Sequence, residues 1–258
     1  MGPLKLKRLK IGFLNKIMKN PICISTGLLY RLTNDRNEMI SKIREFSPEG
    51  IELSFAYPEY LFDFTIKEEN LRYLRNLKFN SIHAPWIEIT YGNNQKSKDV
   101  LTAIEKLYKQ IDAKDVVFSN KEQIADINVI TDYDFIVSIE NDDWKHPLSN
   151  IPEKIEEVFS ENKILKLTFD FAHALTVSPK DIPMYINKFK DRIISIHLAM
   201  LNKELKDHWF LHKHDSKRMR ELLGYLKEIN SPVILECVAS DWKEVALIKE
   251  EIKYIKSI

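Results

Sequence analysis

Four apolar runs of this 258-residue chain end on a side chain that can bind a cation or carry a proton. They are IVSIE at Glu140, KLTFD at Asp170, IISIH at His197 and VILE at Glu236. A carboxylate inside an apolar run is costly to bury unless something cationic meets it. Three carboxylates and an imidazole form a hard, anionic donor set, suited to Mn²⁺, Mg²⁺ or Co²⁺ and usable by Zn²⁺. Unfilled, the carboxylates would repel one another, so a cation is their natural occupant. Two further imidazoles fall near such run ends, His83 in SIHAPW and His173 three residues after Asp170. Glu52 in GIELSF ends another run, and Trp86 offers an aromatic face for stacking on a sugar or base. Each has a plainer reading too: ion pairs for Glu140 and Glu236, backbone-bonded core rings for His83 and His173, a structural Glu52, rim packing for Trp86.

The elements that must carry these groups alternate. The β-branched runs ICIS, GIELSF, FNSIH, DVVFS, DFIVSIE, ILKLTFD, RIISIHL and PVILEC read as eight strands. Helical spacing of apolar residues separates them. Met39, Ile40, Ile43 and Phe46 follow a cap at Asn34 or Asp35, and Val100, Leu101, Ile104, Leu107, Tyr108 and Ile111 share one face over about 97–112. Further helices are expected at 67–76, 121–129, 151–160, from Ser178-Pro179, at 216–229 and from about 241. Eight βα units argue for one (β/α)8 TIM barrel over the whole of 1–258, with 1–20 a basic lead-in; an open doubly wound sheet is the alternative. Barrel sites lie at the carboxyl ends of the strands, where Glu140, Asp170, His197 and Glu236 come from four consecutive strands. The stretch from Ala199 to His214 is longer than a structural connection needs and reads as an active-site loop.

With 39 basic and 38 acidic residues the net charge is +1, which gives no global field for nucleic acid. Lys5 to Lys10 read as a solvated basic face or expression residue rather than a nucleic-acid arm. No apolar run is long enough to span a bilayer, and a cytoplasmic location is expected. Two cysteines, Cys23 and Cys237, make no disulfide framework, and free thiols are expected. Nothing matches a glycine-rich phosphate cradle.

GIELSF, SIHAPW, VSIEND, LTFDFAHA, ISIHL and VILEC, in this order, resemble the successive strand ends of the xylose isomerase-like TIM-barrel superfamily, over about residues 20–240. That superfamily holds sugar and sugar-phosphate isomerases and epimerases, and also endonuclease IV. The resemblance implies that Glu140, Asp170, His197 and Glu236 bind one metal. It implies that Glu140 and Glu236 exchange protons with a sugar or sugar phosphate from opposite faces, through a metal-stabilised enediolate. His83, His173, Glu52 and Trp86 would contact substrate. In the endonuclease-like alternative, a metal-dependent phosphoesterase acting on nucleic acid, His173 would hold a second metal with His212 and His214. Departures weaken that alternative: Ser119 stands where a histidine is expected, and Met200 where many members carry aspartate. Arg218 and Lys213 are the candidates for holding a phosphate. A barrel that binds a ligand without turnover, and a homo-oligomeric assembly, are compatible with the same residues.

Overall fold

The computed structural model describes residues 19–143, 145–201 and 208–258. The basic stretch Lys5–Lys10 lies outside them. Eight parallel strands close into a barrel: β1 Ile22–Ser25, β2 Gly50–Ser54, β3 Phe79–His83, β4 Asp115–Phe118, β5 Val137–Glu140, β6 Lys166–Asp170, β7 Ile193–Leu198 and β8 Val233–Leu235. Closure is made by Ile22 pairing with Val233 and Ile24 with Leu235. All eight expected strands are present, and the open-sheet alternative is excluded. Strand alternation divides the residues cleanly. Ile24, Ile51, Leu53, Ile82, Val116, Ile139, Leu167, Phe169, Ile196 and Leu235 enter the large apolar cluster under the helices. Cys23, Phe79 and Ile234 form a separate small apolar cluster.

Above it the interior turns polar. Asp115 Oδ2 accepts from Ser138 Oγ at 2.8 Å, Ser195 Oγ at 3.2 Å and Thr168 Oγ1 at 3.4 Å. Those hydroxyls come from β5, β7 and β6, so the bonds cross the lumen. Burial pushes the Asp115 carboxyl up to about 7, although the Ser138 hydrogen bond opposes the rise.

Helices α1 Arg36–Arg44, α2 Pro58–Phe62, α3 Glu68–Arg75, α4 Gln95–Ile111, α5 Ile127–Thr131 and α6 Pro152–Glu161 occupy the first five crossovers. Asp35 caps α1 by accepting from Asn37 N–H, and Asn94 caps α4 through Ser97 N–H. Helix α7, Phe171–Val177, follows β6 without a break and was not foreseen, since the next helix was expected only from Ser178-Pro179. The helix expected from Ser178-Pro179 is only a 3₁₀ turn, Pro179–Asp181, and α8 starts at Ile182–Phe189. Pro183 is the reason. An α-helix begun at Pro179 would need an N–H from residue 183, and proline has none. The final crossover and tail are α9 Lys217–Gly224, α10 Trp242–Val245 and α11 Ile248–Ser257. Within the expected irregular stretch, Met200–Leu201 pairs antiparallel with His208–Trp209, and a 3₁₀ turn spans Leu211–His214. Cys23 and Cys237 are both buried and free. Among the described residues no helix is long and apolar enough to cross a membrane.

Candidate active site

At the carboxyl ends of the strands the donor atoms of Glu140, Asp170, His197 and Glu236 all lie within 4.8 Å of one another. Donors about 2.0–2.2 Å from one ion sit at most about 4.4 Å apart, so small shifts would let one cation reach all four. His197 Nδ1 stands 2.5 Å from Glu140 Oε1 and 3.1 Å from Glu236 Oε2. It is nevertheless a buried nitrogen without a well-directed hydrogen bond. An imidazole nitrogen crowded by two carboxylates that it does not face squarely suits donors converging on a shared point. The hard oxygen and imidazole set fits Mn²⁺, Mg²⁺, Co²⁺ or Zn²⁺.

Behind His197 the other ring nitrogen, Nε2, lies 3.2 Å from Glu52 Oε2, which also accepts from Ser81 Oγ at 2.9 Å. Glu52 was expected to touch substrate. It is 0% exposed, and its place is corrected to the far side of the imidazole, where its carboxylate orients the His197 ring. Burial opposes a proton on His197, yet Glu236, Glu52 and Glu140 together raise its pKa well above the ordinary value. Burial likewise acts against Glu140, but His197 and His83 hold its carboxyl below the usual range. Asp170 is raised by burial, with His173 and His208 opposing.

His83 Nδ1 lies 3.1 Å from the Ala84 carbonyl, which can only accept, so Nδ1 carries the hydrogen and Nε2 faces Glu140 Oε2 at 3.2 Å. Trp86 meets the His83 ring edge-on at 4.7 Å and lines the pocket. His173 is placed by helix α7. Asp170 Oδ1 accepts from His173 N–H at 2.7 Å as the helix cap, and His173 Nδ1 donates to the Asn141 carbonyl at 3.1 Å. Asn141 also brackets Asp170, its side chain accepting from the Asp170 N–H and donating to the Asp170 carbonyl. Burial opposes protonation of His173, while Asp170 and Asp142 raise it to about 9.

The second-metal set expected for His173 does not assemble as written. His212 Nδ1 is 2.6 Å from Glu251 Oε2, and the same buried carboxylate accepts from Leu211 N–H and His212 N–H. His214 stacks on Trp209. The 3₁₀ turn carries both away from His173, and His208 takes their place through the Leu201–His208 pairing. Asp170, His173 and His208 form a second donor group within 4.8 Å, and Asp142, Asp143 and His146 form a third. Asn141, Asp142 and Asp143, which directly follow Glu140 at the end of β5, and His146, six residues on from it, were missed as site residues. Arg218, beside Glu221, and Lys213, beside Glu244, are not among the residues lining this pocket. The pocket encloses about 310 Å³.

No protein-family model matches the sequence, and no curated protein does. Solved structures match the fold. A D-tagatose 3-epimerase-like protein is 19% identical, with a TM-score of 0.63, covering 91% of this chain and 98% of that one. A D-allulose 3-epimerase from Methylomonas sp. is 11% identical, with a TM-score of 0.65 and coverage of 93% and 99%. Endonuclease IV from Thermus thermophilus is 13% identical, with a TM-score of 0.64 and coverage of 92% and 98%. The fold is therefore a (β/α)8 barrel, as in these epimerase and endonuclease structures. One barrel serves both epimerases and a nuclease, so the reaction must be argued from the site.

Proposed function

We propose that this chain is a divalent-metal-dependent isomerase or epimerase of sugars or sugar phosphates. The observation that carries the reading is the approach of Glu140 and Glu236, from β5 and β8, to one imidazole nitrogen inside a four-donor set. When bound there, a divalent cation would acidify a C–H bond next to a substrate carbonyl. Glu140, Asp170, His197 and Glu236 would hold it. One glutamate takes the proton from that carbon, and the C–H electron pair forms the carbon–carbon double bond as the carbonyl π pair moves onto its oxygen. On the reverse shift the other glutamate returns a proton to the opposite face. His83, hydrogen-bonded to Glu140, orients that carboxylate. Glu52 fixes the His197 ring, and Trp86 and His173 wall the pocket. Similarity of fold to epimerases supports the reading.

The experiment is proton exchange in heavy water with a panel of ketoses and ketose phosphates in the presence of Mn²⁺. Deuterium should enter the carbon next to the carbonyl. Glu140→Gln and Glu236→Gln should each slow that incorporation by about 10²–10⁴-fold. Absence of exchange with every substrate, or full exchange in both variants, would refute the reading. One observation favours a second reading, a phosphoesterase: the Asp170–His173–His208 group beside the first. Two or three zinc ions per chain, with phosphodiester cleavage, would select it over a single Mn or Mg.

A further inference from the structure

The 310 Å³ pocket around the metal donors opens on a larger cavity of about 610 Å³, with Trp86, Tyr30, His173 and His208 lining both. The first volume alone reaches the lower range of small-ligand sites, about 300–1,000 Å³, so a sugar held at the donors leaves the second space for another part of the same molecule. Its walls include Tyr57, Tyr60 and Arg36.

Arg36 is unusual in three ways. It is only 6% exposed, yet among the described residues no carboxylate makes an ion pair with it. Its guanidinium is held by neutral groups. Nη1 donates to the Asn34 carbonyl at 2.8 Å, and Nε and Nη2 reach the Ser54 carbonyl at 3.4 and 3.3 Å. The Tyr60 ring lies 4.5 Å from its central carbon and the Phe55 ring 5.4 Å. Asp35, the adjacent acid, is committed to capping α1 through Asn37 N–H at 2.8 Å. Three of the five guanidinium N–H bonds are thus accounted for by carbonyls, and two remain for a ligand. Finally, Arg36 stands in the first turn of a helix, where the macrodipole disfavours a cation. A buried cation with no carboxylate at ion-pair distance and, among carboxylates, only the adjacent Asp35 to offset its burial, set against a helix N-terminus and lining a cavity, is better balanced when an anion enters that cavity.

We propose that Arg36 is the anion-recognition residue of this site, so that the substrate carries an oxyanion group, a phosphate ester or a carboxylate, at the end remote from the metal donors. A planar fork with free N–H groups matches both oxyanions, and the neighbouring tyrosine rings suit the carbon chain between. The inference rests on the isomerase reading for the sugar part of the ligand, and on Arg36 alone for the charged part.

Binding to the Mg²⁺-loaded protein tests it without turnover if the probes lack an aldehyde or ketone group. Ribitol 5-phosphate, ribitol and ribonate meet that need and are compared by calorimetry. Wild type should bind ribitol 5-phosphate or ribonate at least tenfold more tightly than ribitol, and the tighter of the two identifies the oxyanion. Arg36→Gln should erase that preference and leave ribitol binding unchanged, whereas mere loss of the carbonyl clamp would weaken all three alike. A wild type with no preference, or an R36Q variant that keeps it, overturns the proposal. If R36Q does not fold, the Arg36 Nε–H resonance of the wild type decides: it should move on adding the preferred anion and stay still with ribitol. A resonance indifferent to both anions refutes the assignment. Failure of proton exchange with selective anion binding intact would sink the isomerase reading and spare this one.

Discussion

Replacing Glu52 by glutamine tests whether the site is organised from beneath. The carboxylate lies 3.2 Å from His197 Nε2 and 2.9 Å from Ser81 Oγ, while its Oε1 is buried with no partner. Glutamine has nearly the same shape, still accepts from one neighbour, and removes a negative charge from a carboxylate-rich interior. In the metal-free fold the weaker bond to His197 and the relief of carboxylate repulsion oppose one another, so its stability should change little. What changes is the His197 interaction, from a charge-assisted hydrogen bond worth about 1.5–3 kcal/mol to a neutral one worth about 0.5–1.5. The difference, about 1–1.5 kcal/mol, makes imidazole a poorer ligand and weakens metal binding roughly tenfold, at the low end of the 10–100-fold typical for such outer partners. At saturating metal, a tenfold loss removes about 1.4 kcal/mol of ligand stabilisation. For a chain of this size that is about 3–5 °C of metal-induced Tm increase. Scanning calorimetry of both proteins in EDTA and in Mn²⁺, with a chelator competition for Kd, reads all of these quantities. An unchanged Kd, or an equal Tm loss with and without metal, would place Glu52 outside the metal centre.

Three more outcomes follow from described contacts. Asp115, held at about 7 by burial, keeps in the fold a proton that the unfolded chain releases near pH 4, so stability falls as pH rises from about 4 to 7 and is level above. Asp115→Asn should remove that slope and gain up to ~4 kcal/mol over wild type at pH 8 but nothing at pH 4, measured by denaturant midpoints; equal midpoints at both pH values would refute it. His212→Ala leaves Glu251 with two backbone N–H donors, should cost about 1–3 kcal/mol, and should leave metal stoichiometry by elemental analysis unaltered; a lost ion would restore His212 as a ligand. A methyl group on Gly50 would press into the Phe79 carbonyl oxygen and meet Cys23 Sγ at 2.5 Å, so Gly50→Ala should cost about 3 kcal/mol or more, and a near-native unfolding midpoint would contradict the packing of β2 on β3.

The barrel was readable because each strand is a β-branched run, and because four runs stop on a group too costly to bury without purpose. Glu140, Asp170, His197 and Glu236 were found for that reason and converge in space. What escaped depends on pairings that no local pattern encodes. His208 reaches Asp170 only through an antiparallel ribbon, whereas the His212-Lys213-His214 spacing looked like a ligand pair and folds as a 3₁₀ turn that separates the rings. Glu52 alternates onto the lumen face like a pocket residue, yet it stops one layer short of the opening. Arg36 did leave a signal, since a basic residue at the start of α1 runs against the helix dipole. Asn141 left none, because an amide after a glutamate has no distinctive chemistry until its two bonds to the Asp170 backbone are seen.

Asp170 bears on how such a site could be altered. One of its oxygens starts helix α7 by accepting from His173 N–H, and its backbone is bracketed by Asn141. A single carboxylate thus joins the four-donor cluster, the first turn of a helix and the imidazole that the helix presents. Drift or design that seeks another ion preference disturbs fewer such relationships at His208, whose side chain is 22% exposed. Lengthening Asp170 by one methylene would disturb three relationships at once, so this position should be the last in the site to change and the first to hold fixed in any library built on this barrel.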